Sequence, residues 1–177
     1  MKTNTKKMVL NSILLAIGLI LHQLTPALGL PMQPDLALIA MFLIVLLNRD
    51  DYKSCLLAGI ITGIFAALTT KFPGGQIPNI LDKVISLHFA FLLVYMLDRM
   101  SFVKKMDRDK AGKLISVLLF SLGTLVSGTI FLLSAQFIVG LPAGFEVLFV
   151  SIVIPATVLN LVAGLILFNV LNRVIKA

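Results

Sequence analysis

Apolar residues run through this chain in six long segments, at about 8–25, 34–48, 53–70, 78–98, 113–138 and 146–171. Each reads as a helix, and a helix needs about 20 apolar residues to cross a bilayer. The second segment is short, and Pro34 beside it suits the first turn of a helix. Pro155 falls inside the sixth. It removes a backbone donor there and predicts a kink, with neighbouring helices re-satisfying the freed carbonyl. No internal repeat is visible, which weighs against an inverted-repeat transporter.

The connections between segments are of two kinds. One set is basic: Lys2, Lys6 and Lys7 at the start, then Arg49 and Lys53 between the second and third segments. Arg99, Lys104, Lys105, Arg108, Lys110 and Lys113 follow between the fourth and fifth, and Arg173 and Lys176 at the end. Only Lys71 and Lys83 lie elsewhere among the basic residues. Basic connections stay in the cytoplasm. This predicts an all-α bundle of six transmembrane helices with both the N-terminus and the C-terminus cytoplasmic. The other set, at 24–35, 72–83 and 139–146, is rich in Pro and Gly and nearly uncharged. These three look packed rather than solvated, as a lid over a pocket on the outside.

Composition agrees. Of 177 residues, 59% are hydrophobic and 13% charged, with a mean hydropathy of +1.05. A soluble domain is nearer half apolar and a quarter charged. The chain reads as one membrane-embedded domain over residues 1–177, too short for an added soluble domain. The net charge of +7 does not point to nucleic acid, because the basic residues sit between apolar spans rather than on one soluble face. Cys55, the single cysteine, excludes an internal disulfide and reads as packing. The basic, apolar start resembles a signal peptide but lacks a clean small-x-small cleavage site, so it reads as a retained first helix.

The candidate chemistry concentrates where the third connection ends. Asn79, Asp82, Lys83 and Ser86 fall at i, i+3, i+4 and i+7 of the fourth helix, with Ala90 continuing the row. They share one helical face, while Ile77, Ile80, Leu81, Val84 and His88 take the other. A polar stripe on a spanning helix faces the bundle interior. It either lines a small-molecule site or holds a structural ion pair, Asp82–Lys83 or Asp82–Lys71, that pins the loop. A zwitterion needs a carboxylate, an ammonium and orienting amides, and this face offers all three. Asp35 opens the second helix on the same side, where it complements the helix dipole or meets a ligand ammonium. Asn160 lies in the middle of the sixth span, as an interhelical hydrogen-bonding group or as the floor of a pocket. Gln76 and Gln136 are further amides of this kind, and Glu146 reads as a cap.

Other chemistries find no support. His22, His88 and Cys55 share no ligand spacing, so no metal is assigned. There is no phosphate-cradling glycine loop followed by Lys-Ser/Thr and no nucleophile elbow. Nor is there a visible cluster of acids or histidines at one depth, so the chain does not read as an enzyme, and it implies no cofactor. Small residues recur at helical spacing: Ser12 and Ala16 on the first helix, Gly59, Gly63, Ala66 and Ala67 on the third, and Ser116, Gly123, Ser127 and Ser134 on the fifth. Such faces let helices approach closely. The third and fifth read as internal packing, and the first also suits an intermolecular contact.

Several of these stretches together resemble one family. Phe72-Pro73-Gly74-Gly75-Gln76-Ile77-Pro78-Asn79-Ile80-Leu81-Asp82-Lys83 resembles the bacterial tryptophan-transport family TrpP. So do Gln33-Pro34-Asp35, Gly63-Ile64-Phe65-Ala66-Ala67-Leu68-Thr69-Thr70 and Val139-Gly140-Leu141-Pro142-Ala143-Gly144-Phe145. The similarity covers nearly the whole chain, and the third connection is its most specific part. It implies a six-helix protein of the bacterial cell membrane that looks like the substrate-capture S component of an energy-coupling factor (ECF) transporter. Such a component works with a transmembrane coupling protein and two ATPase subunits. The family picture places a small-residue face of the first helix, often Ala-x-x-x-Ala, against the coupling protein; the matching positions here are Ser12 and Ala16, the serine being a departure. The ligand implied is tryptophan, with Asp35 or Asp82 meeting its ammonium and Lys83 or Lys71 its carboxylate. Gln76, Asn79 and Asn160 would orient it. The absence of Trp from the chain suits a protein made during tryptophan shortage. Two alternatives stay open: a stand-alone secondary amino-acid carrier driven by protons or sodium, and a non-transport membrane sensor.

Overall fold

A computed structural model describes the backbone of residues 2–24 and 35–176, with side chains for 5–24 and 35–174. Its elements are α1 (Lys2–Leu24), α2 (Leu36–Leu47), α3 (Tyr52–Leu68), α4 (Gln76–Arg99), the single turn α5 (Ser101–Lys104), α6 (Arg108–Ile138), the single turn α7 (Phe145–Leu148), a π-helical stretch (Phe149–Val153) and α8 (Ile154–Lys176). The expected segments correspond to α1, α2, α3, α4, α6 and the run from α7 through α8. Thr5–Leu24, Gln76–Arg99, Arg108–Ile138 and Phe145–Val174 are long and apolar enough to cross a membrane, whereas α2 and α3 are apolar but shorter. At about 1.5 Å per residue, α2 is only about 18 Å long, well short of a hydrocarbon core of about 30 Å.

Helix α2, though short, is the centre of the bundle. It is apolar on every face, and such a helix is buried all round. Every residue from Ala37 to Leu46 is buried, against α1, α3, α4, α6 and α8. Lipid is as apolar as leucine, so close packing rather than escape from water must hold such helices together. The small residues supply the room. The Phe42 ring seats on Gly123, where an added Cβ would lie 2.6 Å from Cζ. Phe120 covers Gly164 at 2.7 Å, and Leu87 covers Gly59 at 2.6 Å, on the same measure. The small faces of α3 and α6 thus pack inside the molecule, as expected.

Helix α4 is amphipathic in reverse. Asn79, Asp82, Lys83 and Ser86 are buried and Ala90 continues the buried row, while Ile77, Ile80, Leu81, Ile85 and His88 face outward. In water this arrangement fails; against hydrocarbon it is the stable one. Gly63 lets α3 and α4 close over the stripe, its absent Cβ lying 3.5 Å from Lys83 Cβ.

The two ends of the bundle differ. At the basic end, Asn48 Nδ2 donates to Asn11 Oδ1 (3.0 Å) and to the Ile44 carbonyl (2.8 Å). Arg49 pairs with Asp98 at 2.5 Å, joining the α2–α3 connection to α4, and Asp51 caps α3 through the Ser54 N–H. At the Pro/Gly end, the turn before α4 is closed by the Gly75 N–H donating to the Phe72 carbonyl at 3.0 Å. Gly74 has φ +71° and comes so near Val139 that an added Cβ would lie 2.4 Å from Cγ1, so both its conformation and its neighbour exclude a side chain. Phe72 is buried edge-on against Phe131 and Gly75 is buried, while Pro73 and Gly74 are exposed, so the turn is packed in part. The 139–146 connection is packed in part as well: Leu141 and Phe145 rest on the buried cluster of Phe72 and Phe131, while Gly140 (φ +86°) and Pro142–Gly144 are exposed. The first connection, including Pro34 as a helix opener, lies at 25–34, outside the described residues. The kink expected at Pro155 is a π-helical stretch ending two residues before it; the proline ring would clash with the Ser151 carbonyl in an α-turn, and a wider turn relieves it.

Candidate functional site

Three helices bring ionisable groups together near the Pro/Gly end. Asp35 caps α2, its Oδ1 accepting from the Leu38 N–H at 2.9 Å. Its Oδ2 lies 2.6 Å from Lys83 Nζ. The same ammonium donates to Asp82, whose other oxygen accepts from Ser86 Oγ at 2.8 Å. Ser127 of α6 also bonds Asp82. His22, in the last turn of α1, places Nδ1 3.4 Å from Asp35. Lys83 and Asp82 are each 1% exposed, and the Asp35 side chain retains 19% exposure. Taking charges out of water costs several kcal/mol each, about, and only close pairing offsets it. One ammonium serving two carboxylates meets that need and leaves anionic character in excess.

Beside this cluster is a cavity of about 70 Å³. Asp35, Asp82, Lys83, Asn79 and His22 form its polar wall, and Lys71 stands on it as an exposed residue. Phe72, Phe131, Ile152, Val153 and Leu38 form its apolar wall together with Ala156 and Gly128, on which Val153 seats. Four of these, Phe72, Phe131, Ile152 and Val153, belong to one buried apolar cluster with Leu132 and Leu148. The π-helical stretch contributes Ile152 and Val153, and α8 continues the wall with Ala156 and Asn160. Ordinary ligand sites measure about 300–1,000 Å³, so a ligand of amino-acid size enters only as the walls part.

Residues 4–176 match the family described as Tryptophan transporter TrpP. The chain belongs to that family. It is 44% identical to a "Probable tryptophan transport protein" of Clostridium perfringens over 175 residues, covering 99% of this chain and 96% of that one. Its identity to proteins of the same description is 42% in Clostridium acetobutylicum, covering 98% and 95% of the two chains, and 41% in Bacillus subtilis, covering 97% and 94%. No solved structure matches the chain.

In this TrpP-family chain, the structure gathers Asp35, Asn79, Asp82, Lys83 and Asn160 around one cavity. Gln76 is exposed in the first turn of α4 and off the cavity wall, one turn before Asn79 at the outer end of the same face. Gln136 and Glu146 are exposed as well. Ser12 and Ala16 lie outward on α1, Ser12 Oγ donating to the Met8 carbonyl at 3.0 Å. Sequence reasoning found no cluster of acids and histidines at one depth, yet His22 stands beside Asp35, which shares Lys83 with Asp82. Its signal was a lone polar residue closing an apolar helix. Thr124 and Ser127 were also missed as site residues. Ser127 was visible as part of the small-residue stripe, and only helix packing turns it toward Asp82.

Proposed function

We propose that this protein binds and takes up tryptophan at the Pro/Gly end of the bundle. The single observation that carries the reading is the buried Asp35–Lys83–Asp82 cluster beside an apolar wall, in a chain of the tryptophan transporter family. A zwitterionic aromatic amino acid needs charges of both signs next to a dry surface, because ring burial supplies most of its affinity. Asp35, the more accessible carboxylate, meets the ammonium. The third proton of Lys83 and the Lys71 ammonium at the wall meet the carboxylate. Asn79 and Asn160 orient the ligand, and Phe72, Phe131, Ile152 and Val153 hold the ring. Gln76 comes into contact only if the turn before α4 moves.

The protein lies in the bacterial cell membrane with six membrane-embedded helices, both termini cytoplasmic and the cavity toward the outside; the charge asymmetry of the connections supports this orientation. It acts as the substrate-binding S component of an ECF transporter, with a coupling protein on the exposed Ser12/Ala16 face of α1 and two ATPase subunits beyond it. The chain has no Trp, so indole emission from purified protein plus tryptophan comes from the ligand. A saturable, blue-shifted signal is expected, and its absence in a folded sample overturns the reading. A second reading, a proton-coupled carrier, is favoured by one observation: His22 and two aspartates meet inside the bundle, as in intramembrane proton relays. Uptake into proteoliposomes by this chain alone, driven by a proton gradient, would select it. Uptake that requires added ATPase and coupling subunits selects the first.

A further inference from the structure

Asn160 presents a chemical demand that nothing among the described residues meets. It is 1% exposed and lies on the cavity wall. Its amide is held in one orientation by Thr124. The Thr124 hydroxyl donates its proton to the Phe120 carbonyl at 2.7 Å, so toward Asn160 its oxygen can only accept. Asn160 Nδ2 therefore faces it, at 3.4 Å. Oδ1 is left as the other end of the amide, buried and with no donor among the described residues. A buried carbonyl oxygen without a donor is costly, and buried polar groups are otherwise paired.

Tryptophan carries two kinds of donor, its ammonium and its ring N–H. The ammonium is the natural partner of the Asp35–Asp82 side, where carboxylates outnumber the lysine between them. Asn160 instead continues the apolar wall, one turn beyond Ala156 and two beyond Ile152 on the same face of the helix. A ring lying on that wall brings its edge to the amide. The indole N–H is a donor only, and when buried it needs an acceptor. We propose that Asn160 Oδ1 accepts the indole N–H and is the residue that separates tryptophan from aromatic amino acids without a ring donor at that edge. The inference rests on the tryptophan reading above and adds the atom that confers the selectivity. A site with a buried acceptor rejects the analogue that lacks the donor, because the acceptor then stays unpaired.

The test compares L-tryptophan with L-3-benzothienylalanine, in which sulfur replaces the ring N–H at nearly constant shape, by calorimetry on the purified full chain. The wild type should bind tryptophan about tenfold more tightly or better, and Asn160→Ala should remove most of that preference. Equal affinities in the wild type overturn the proposal without any variant, so a poorly folded Asn160→Ala does not shield it. An unchanged ratio in a folded Asn160→Ala overturns it too. Indole-3-propionate, which lacks the ammonium, is the third ligand. If Asn160→Ala abolishes discrimination against indole-3-propionate rather than against benzothienylalanine, the amide serves the ammonium and the proposal is wrong. A wild-type chain that binds no tryptophan removes the tryptophan reading itself, a result distinct from binding both ring analogues equally.

Discussion

The packing around α2 and the cluster beside the cavity are built on opposite principles within one bundle. Around Phe42, Phe120 and Leu87, rings and branched chains fill the space left by Gly123, Gly164 and Gly59. Every contact is between groups that lipid would accept equally well, so shape alone holds this part in place. Around Lys83, the groups are ones that lipid refuses. Asp35 and Asp82 are held by one ammonium, with Ser86 and Ser127 satisfying what remains. The first region has filled its space; the second keeps a cavity and, on Asn160, an acceptor without a donor among the described residues. The first therefore suits a rigid frame, and the second a site whose groups a ligand can complete.

The largest expected effect comes from Lys83→Met. It leaves the buried Asp82 without its cation and Asp35 with only His22 beside it, and breaking a buried pair costs about 3–5 kcal/mol. Thermal unfolding in detergent should show a large loss of stability together with loss of ligand binding. A variant as stable as wild type would mean that the cluster is not buried as described. Asp35→Asn is gentler, since asparagine caps a helix as well as aspartate and Lys83 keeps Asp82 as partner. Binding of tryptophan should weaken by about tenfold to a hundredfold, the worth of a charged hydrogen bond. Unfolding should change little, and a loss of stability without a loss of affinity would make Asp35 structural.

Gly123→Val tests the frame. The new side chain meets the Phe42 ring, and overpacking costs about 1–3 kcal/mol. Affinity in the folded fraction should stay near wild type, and a selective loss of affinity would erase the distinction between the two regions. The smallest effect belongs to Asp51→Ala at the basic end, where losing the α3 cap should cost about 1 kcal/mol. The Asp51 carboxyl is held below its usual range by hydrogen bonds from the Ser54 hydroxyl and backbone N–H. Its contribution is thus present above an unfolded value of about pH 3.9 and disappears as pH falls through the lower folded value. The difference in stability between wild type and Asp51→Ala should shrink only in that acid range.

Much of the architecture was legible because a bilayer imposes simple demands. Long apolar runs separated by short connections leave little choice but helices, and the spacing of Asn79, Asp82, Lys83 and Ser86 placed them on one buried face before any contact was known. Glycines at helical spacing announced close approach without naming the partner. Gln76 stands one turn before the stripe, and only the tertiary structure shows that the cavity ends short of it. His22 was passed over because no local pattern connects the end of α1 to the caps and stripes of α2 and α4.

The sequence by itself determined the apolar helices, the asymmetry of charge between the two ends and the inward polar face of α4. Each follows from periodicity and from what hydrocarbon will tolerate. Only the tertiary structure decided that α2, too short to span by itself, is the centre of the bundle. It alone decided that Lys83 serves Asp35 as well as its neighbour Asp82, and that Thr124 fixes the Asn160 amide so that its carbonyl oxygen has no donor among the described residues. These are relations between residues 36 to 48 positions apart. They depend on the rotation and depth of whole helices, which close packing sets and no local spacing encodes.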